Sequence, residues 1–531
     1  MIEIREATLG DIAGIQEVFH EEYGDQYAYP EYFDVEALSK LVYAPGTLLL
    51  VAIDQEAGRV AGTASVVFSV AAQNDLVGEF GRLVVHPDYR GHGLGKRLMQ
   101  ARIDHVKSRL HVGIVDNRTS HTFSQRISSG FGFVPIGFIP GKLRVDRRET
   151  IAQYVCYFGD ALSLRRNNPR IIPEASRLAS IALENCKLPQ DAIVDDASAP
   201  YPNCDDFDLG EMQTEGYASL LRIERGRVRH RDVFGPIRLH YGLFQLQSQH
   251  SNYLIARHGS QIAGGLGYLV DDAERAARVF ELISVNDQPI RFLLERFLQK
   301  CEDELGVEYI EIDVSAYSPR MQRTLLELGF LPVSYIPASV FHQVERLDAV
   351  KMSRLIAPPD FDGLHYLEEV RPIAEVVMQA FESKAVFPKI ASASKSSPLF
   401  DGLSDEQLVR LMSACQTQSY NAGETVYEIG STDGAMHLIL GGTIDLVTSS
   451  GKQVASAGPG NCIGETSFLT SSATPEAHSL QAIATEHVDT AVFPFSEFAA
   501  LIRRRPDIGV VVYRNLALEI GRKLRSTTAV D

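Results

Sequence analysis

The segment Ser124 to Pro140, SQRISSGFGFVPIGFIP, and the segment Met321 to Pro337, MQRTLLELGFLPVSYIP, coincide at a constant offset of 197 residues. They share Gln125/Gln322, Arg126/Arg323, Gly132/Gly329, Phe133/Phe330, Pro135/Pro332, Ile139/Ile336 and Pro140/Pro337. Upstream and in the same order, LLLVAIDQEAGRVAGTASVVF (48–68) echoes YLIARHGSQIAGGLGYLV (253–270). Each of these reads as a strand, a short turn and a second strand opening on an Ala-Gly step. Two matched blocks in one order constrain the chain to two copies of a single α/β unit.

The copies set the boundaries, with a first unit at 1–165 and a second at 166–355. Pro358-Pro359 breaks the second copy, and HYLEEVRPIAEVVMQAFESK (365–384) reads as an amphipathic helix around Pro372. KIASASKSSP (389–398) is small and polar, which predicts a flexible connection. Residues 356–397 are therefore expected to be a helical and Ser-rich linker. The block 398–531 differs in kind: short β-like runs punctuated by glycine (ETVYEIG, MHLILGG, TIDLVTSSG), with helical stretches at both ends.

Composition excludes several classes. Hydrophobic residues make up 45% and charged residues 22%, the balance of a packed chain rather than a disordered one. No apolar run approaches the ~20 residues of a membrane span. MIEIREATLGD carries acids where a signal peptide needs apolar residues, so a cytoplasmic protein is expected. Six cysteines lie far apart with no C-x-x-C pair; this disfavours a disulfide framework and a zinc site, and no metal is expected. The net charge of −17 argues against nucleic acid as a partner, because that affinity rests on Lys and Arg.

The chemistry concentrates in EFGRLVVHPDYRGHGLGKRLMQ (79–100). A β-run over Phe80–Val85 meets His86-Pro87-Asp88, which stops the strand. Arg90-Gly91-His92-Gly93-Leu94-Gly95-Lys96 then opens a helix with apolar Leu94, Leu98, Met99 and Ile103. A strand feeding a glycine-rich turn at a helix start presents backbone N–H groups to a phosphate. Glycines admit the close approach that a Cβ would block. Taken alone, this pattern also fits a tight βα turn. A dinucleotide fold needs the loop at the first strand with an acid about twenty residues on, and this loop lies well inside the chain.

These residues resemble the GNAT superfamily of acyl-CoA-dependent N-acyltransferases, in V-x-P-x-x-R-G-x-G-x-G followed by a helix, a strand and a G-F-x-P strand. The resemblance covers roughly residues 1–165, and its R-x-x-G-x-G core is met by Arg90, Gly93 and Gly95. It implies that the Arg90–Lys96 loop cradles the pyrophosphate of acetyl-CoA or another acyl-CoA. It also implies that a splayed strand at Leu83, Val84 and Val85 binds the pantetheine. Glu79 stands where such proteins often keep a general base. The usual acid is a tyrosine four residues before the G-F pair; here Ser128 takes that place, leaving Ser128, Ser129, His121, a loop tyrosine or water as proton donor. His121 also suits a capping role at the next helix.

The acceptor side is expected in EVFHEEYGDQYAYPEYFDVE (17–36), rich in acids and tyrosines and free of Lys and Arg. Glu22, Tyr23, Asp25, Tyr27 and Tyr29 are the candidates, since an acidic-aromatic rim attracts and stacks on a cationic amine. A solvated acidic helix end with packing aromatics is the other reading. In the second unit, Pro289 and Ile290 replace the small residues of the loop and Leu325 takes the tyrosine place. That copy reads as a degenerate partner covering the first unit or completing its acceptor cleft.

The block 398–531 resembles a cyclic-nucleotide-binding domain, through Ser404-Asp405-Glu406-Gln407, Gly423-Glu424, Gly441-Gly442 and Gly464-Glu465-Thr466-Ser467-Phe468-Leu469. The resemblance implies that Glu465, after Gly464, takes a ribose hydroxyl. It places an arginine six residues before the strand alanine Ala482. That position is Glu476, followed by Ala477, a carboxylate where the phosphate-binding cation belongs, so ordinary cyclic-nucleotide binding is disfavoured. The closing helix, VVVYRNLALEIGRKLR (510–525), suits a lid or dimer contact, and a homodimer is among the assemblies it allows.

The expected architecture is α/β (α+β): tandem GNAT folds with mixed central sheets, then a β-roll with flanking helices. The expected function is acyl transfer, acetyl in the first instance, from CoA to an amine in one ternary complex, with a regulatory or assembly tail. The alternatives are a protein-lysine acetyltransferase under a cyclic-nucleotide-like ligand, and a non-catalytic acyl-CoA sensor or scaffold.

Overall fold

Strands and helices of the first 157 residues follow from their apolar spacing: β1 (Ile2–Glu6), α1 (Ile12–Tyr23), α2 (Val35–Tyr43), β2 (Thr47–Asp54), β3 (Arg59–Val67), β4 (Val77–Val85), α3 (Leu94–Val106), β5 (Val112–Arg118), α4 (Phe123–Gly130), β6 (Val134–Arg144) and β7 (Arg148–Tyr157). Helix α1 buries Ile12, Ile15, Val18 and Phe19 on one face against Val51, Val60 and Val84 of the sheet. Asp34 caps α2, its carboxylate accepting from the Ala37 N–H at 2.8 Å. The computed structural model describes the chain apart from residues 25–26, 28, 69–74, 146, 213–218, 221, 224–231, 236–250, 357–358, 405–406, 409–410, 412–414, 433, 471–476 and 529–531. It divides into two units, Met1–Met378 and Gln379–Asp531.

The rest of the first unit holds β8 (Arg170–Ile171), α5 (Pro173–Asn185), β9 (Ile193–Val194), β10 (Asp208–Glu211), β11 (Val233–Phe234), β12 (Ser251–His258), β13 (Gln261–Asp271), β14 (Ala276–Ser284), α6 (Gln288–Asp303), β15 (Tyr309–Ser315), α7 (Pro319–Glu327), β16 (Leu331–His342) and β17 (Glu345–Leu355). Among the described residues, fifteen strands form one sheet, ordered β1-β2-β3-β4-β5-β7-β6-β16-β17-β15-β14-β13-β12-β10, with β11 on β15. Counted inward from each edge, the order is the same. In both halves the fourth and fifth strands are parallel and diverge, β4 from β5 after three pairs and β14 from β15 after four. The halves meet where β6 and β16 pair at Gly137 and Ser334.

The two divergences differ in what lies between them. In the second half, β11 pairs with β15. The next residue, Gly235, packs onto Phe280 of β14 so closely that a Cβ would lie 2.3 Å from the Phe280 Cβ. The chain itself fills that groove. Pro289 and Ile290 are buried in the first turn of α6, so the helix start there packs instead of facing outward.

The flexibility expected of KIASASKSSP is a correction. One helix, α8, runs from Arg371 to Ser396, so KIASAS continues it rather than breaking into a flexible tether. Alanine is the strongest helix former and serine tolerates the conformation; the helix ends only at Ser397-Pro398. In the second unit, strands form two four-stranded sheets. One core gathers Phe400, Leu438, Phe468, Phe493 and Leu516, the other Tyr427, Ile439, Ile463 and Ala482. The Ser404–Gln407 capping box closes reciprocally, Ser404 N–H to Gln407 Oε1 at 2.9 Å and Gln407 N–H to Ser404 Oγ at 3.2 Å. Among the described residues, no helix is long and apolar enough to cross a membrane.

Candidate active site

The floor of the site is an irregular stretch of β4. Its register with β3 slips between Thr63 and Ser65, and Arg82 adopts φ 52° there, a left-handed conformation that is sterically costly for any side chain but glycine. Arg102 of α3 pins the slip. Its buried guanidinium donates to Ser65 O at 3.2 Å and Gly81 O at 3.0 Å, and burial pushes its pKa down to about 9. On its other edge β4 pairs with β5 only over Val77–Glu79. Beyond Glu79 the strands separate, and a cleft of about 1670 Å³ opens between them.

Leu83, Val84, Val85, Arg90, Gly91, Gly93, Leu94, Gly95 and Lys96 all line this cleft; His92 lies outside the lining. Gly91 and Gly93 have φ 82° and 73°, and Gly93 caps α3. A Cβ at either would meet nothing within 4 Å. The turn thus presents bare backbone and a helix start to open space, a fit for a pyrophosphate. Arg90 does not stand free, because its guanidinium is ion-paired with Glu22 of α1.

Glu79 also lines the cleft, with Oε1 on the Arg82 guanidinium at 2.8 Å. Arg82 in turn lies over the Tyr29 ring at 4.6 Å. Burial opposes the charge of Arg82, but Glu79 together with Tyr29, Tyr32 and Tyr27 outweighs this and keeps the group protonated. Ser128 is buried on α4, donating to Ser124 O at 3.1 Å and sharing hydrogen bonds with the Asn117 amide. His121 is exposed at the cleft beside Phe123. Partial desolvation of its ring and then the Arg118 charge push its pKa down, which favours the uncharged form. Tyr23, Tyr27 and Tyr29 line the cleft and also pack with Phe19 and Tyr32; burial raises the pKa of all three. Asp25 lies outside the described residues.

The second half builds the opposite wall, with residues 269–274 and 276–278 of the β13–β14 hairpin and Tyr309 and Glu311 of β15. A charged network joins the halves there. Lys142 of β6 reaches Asp116 of β5 at 2.8 Å and Glu311 at 3.5 Å. Arg278 and Lys351 bridge Glu311 to Asp313, each 2.8 Å or less from Asp313, and the Tyr309 hydroxyl donates to Glu311 at 3.0 Å. Burial works against Glu311's charge, but Lys142, Lys351 and Arg278 outweigh it and hold the carboxyl well below its usual range.

In the tail, Gly464 has φ 80° and sits so close to Ala435 O that a Cβ would lie 2.7 Å from it. Glu465 then opens the helix Glu465–Thr470. Ala477 is exposed, and next to it His478 stacks on Tyr427 with ring centroids 3.9 Å apart. Glu476 lies outside the described residues.

Residues 12–129 match the model of the acetyltransferase (GNAT) family, and residues 417–505 match that of the cyclic nucleotide-binding domain. The chain carries a GNAT domain and a cyclic nucleotide-binding domain. It is 33% identical over 135 residues to the cyclic AMP receptor protein of Thermus thermophilus, covering 25% of this chain and 59% of that protein. It is 26% identical over 127 residues to glutaminase 2 of Bradyrhizobium diazoefficiens, covering 24% of this chain and 20% of that one. The chain thus spans less than two thirds of either relative. Among solved structures it is similar to a phosphinothricin acetyltransferase of Sinorhizobium meliloti in complex with AcCoA, with 20% identity, a TM-score of 0.26, and coverage of 30% of this chain and 89% of that one.

Several residues of the GNAT cleft escape a reading by motif: Arg82, Asp116, Lys142, Glu274, Arg278 and Glu311. A usable signal existed for Glu311 and Asp313. YIEIDVS alternates acids with apolar residues, the pattern of a strand with one wet face, yet every residue of β15 is buried. The acids therefore face partners, not water. Glu274 lies in a turn and Arg82 in a bulge, and no periodicity marks either.

Proposed function

We propose that the GNAT domain transfers an acyl group, acetyl in the first instance, from CoA to an amine by direct attack within one ternary complex. One observation carries this reading: the strand divergence beyond Glu79 and the bare glycine turn at the head of α3 open into the same cleft. Arg90–Lys96 would hold the pyrophosphate, and the free backbone edge at Leu83–Val85 the pantetheine. Bound there, acyl-CoA supplies a thioester whose acyl carbon bonds to the amine nitrogen as its bond to sulfur breaks and CoA leaves as the thiol. The amine must shed a proton. Glu79 would take it: Arg82 occupies Oε1, and among the described residues no hydrogen bond occupies Oε2. An uncharged His121 has no readily given proton, which leaves the thiolate to Ser128, Ser129, a loop tyrosine or water. The second half walls the acceptor side, and the tail serves regulation or assembly.

A non-catalytic acyl-CoA sensor is the second reading, favoured by the Ser128 hydroxyl being engaged by Asn117 and Ser124. Thiol release from acetyl-CoA with a panel of small amines and a lysine peptide separates the two. Acceptor-dependent thiol supports the transferase; saturable CoA binding without it supports the sensor.

A further inference from the structure

Four carboxylates of the cleft have a basic partner: Glu22 has Arg90, Glu79 has Arg82, and Asp116 and Glu311 share Lys142. Three others that line the same cleft, Glu31, Asp271 and Glu274, have no ion pair among the described residues. Glu274 is the decisive one. It sits in the β13–β14 turn of the second half and is only 7% exposed. Its Oε2 accepts from the Arg144 N–H at 2.6 Å, while its Oε1 is buried with no hydrogen-bond partner. The turn that carries it is fixed to the first half, Arg144 donating to Ala273 O at 3.1 Å and Arg148 to Glu274 O at 2.6 Å. The Glu274 N–H donates to Asp271 Oδ1 at 3.0 Å.

A buried carboxylate oxygen without a partner is costly. Burial first, and then Asp271, push the Glu274 carboxyl up to about 7; the Arg144 N–H, Arg148 and Lys142 work the other way and do not offset this. Burial and Asp271 also raise Glu31. Three acids from both halves thus crowd one place, where none of the described cations pairs directly with them and the nearby Arg148, Lys142 and Arg82 do not offset the burial. Tyr29 links this place to the transfer end, since both Glu79 and Glu274 act on its hydroxyl.

We propose that Glu274, with Asp271 and Glu31, forms a cation subsite, and that the acceptor is a small amine carrying a second positive charge held there, away from the nitrogen that is acylated. The word acceptor rests on the transferase reading; the subsite does not. A protein lysine bears its one charge on the reacting nitrogen, and any neighbouring charge on its chain stays at the mouth. Glu274 is buried, so the cation it holds must enter the cleft.

The test is calorimetry on the full chain saturated with CoA at pH 8, with 1,4-diaminobutane against 1-aminobutane. The dication should bind at least tenfold tighter than the monocation. Glu274→Gln should abolish that preference while leaving CoA affinity unchanged, because glutamine still accepts from the Arg144 N–H; Asp271→Asn should weaken it in part. Equal binding of the two amines by the wild type, or an undiminished preference in Glu274→Gln, overturns the subsite, as does a lysine peptide outcompeting the diamine. Acyl transfer is measured in parallel, with acetyl-CoA in place of CoA and the same amines. Transfer without charge preference sinks the subsite and keeps the transferase; diamine binding without transfer does the reverse.

Discussion

Gly137 and Ser334 pair across the seam of the central sheet, and they are 197 residues apart, the offset that relates the two copies in sequence. Equivalent residues paired antiparallel place a local twofold axis between β6 and β16. The contact is tight: a Cβ on Gly137 would lie 2.4 Å from the Cβ and Oγ of Ser334 and 3.0 Å from its Cα. Gly137→Val should therefore destabilise the first unit by about 1–3 kcal/mol, the usual range for overpacking, seen as a lower unfolding midpoint. Adding Ser334→Gly should recover part of the loss. A variant as stable as the wild type would mean that the seam relaxes freely.

Much of this arrangement was legible in the residues. The repeat exposed the two halves because equivalent strands must bury equivalent faces, and the glycine run exposed the bare turn at the head of α3 because glycine adopts its left-handed backbone without strain. What stayed hidden arises from packing between distant segments. Glu274 sits in a turn whose sequence is indistinguishable from a solvated one until β6 and β7 close over it. Glu22 reads as an acceptor-binding acid but is paired to Arg90, a contact between α1 and the glycine loop that no spacing rule announces. The helix through KIASAS departs from the expected flexibility for a simpler reason: small polar residues permit flexibility without requiring it.

The cofactor turn gives the second prediction. Gly93 needs φ 73° and faces open space, so valine there strains the turn and projects into the pyrophosphate site. Acyl-CoA affinity should fall at least tenfold, about 1.4 kcal/mol, measured by calorimetry beside an unchanged circular dichroism spectrum. Unaltered affinity would remove this turn from the site.

Glu79 and Arg82 act as a pair. Glu79→Gln removes the proton acceptor and leaves the Arg82 guanidinium without its counter-charge. The kcat should drop by roughly 10²–10⁴ with CoA affinity retained, and the unfolding midpoint should fall as well, because a largely buried cation loses its partner. Arg82→Gln tests the other half. If it lowers stability but leaves kcat near the wild-type value, the pair is structural and the proton leaves through water.

The tail prediction follows from sequence position. Glu476 replaces the arginine expected beside a cyclic phosphate, and charge-assisted phosphate contacts are among the strongest hydrogen bonds. Calorimetry should show no saturation of the full chain by micromolar cyclic AMP or cyclic GMP, and Glu476→Arg should introduce binding. Tight binding by the wild type would mean that another cation, Lys452 for instance, meets the phosphate, and would make ligand-controlled acyl transfer the leading reading.

The last prediction turns on the pH dependence of stability. The Glu274 carboxyl titrates at about 7 in the folded chain, against about 4.3 when unfolded. Between those values the folded state holds the proton more tightly, so stability falls as pH rises and stops falling above pH 7. A shift of this size corresponds to a loss on the order of 3 kcal/mol at pH 8 relative to pH 4. Glutamine cannot ionise, so Glu274→Gln should flatten this slope between pH 5 and 7 and should be more stable than the wild type at pH 8. The gain should vanish below pH 4.5, where the wild-type carboxyl is protonated in both states. Saturating diamine should stabilise the wild type at pH 8 but not the variant, because the bound ammonium supplies the missing counter-charge. Urea unfolding across this pH range reads all three effects, and a variant less stable than the wild type at pH 8 would show that Glu274 is satisfied by the protein alone.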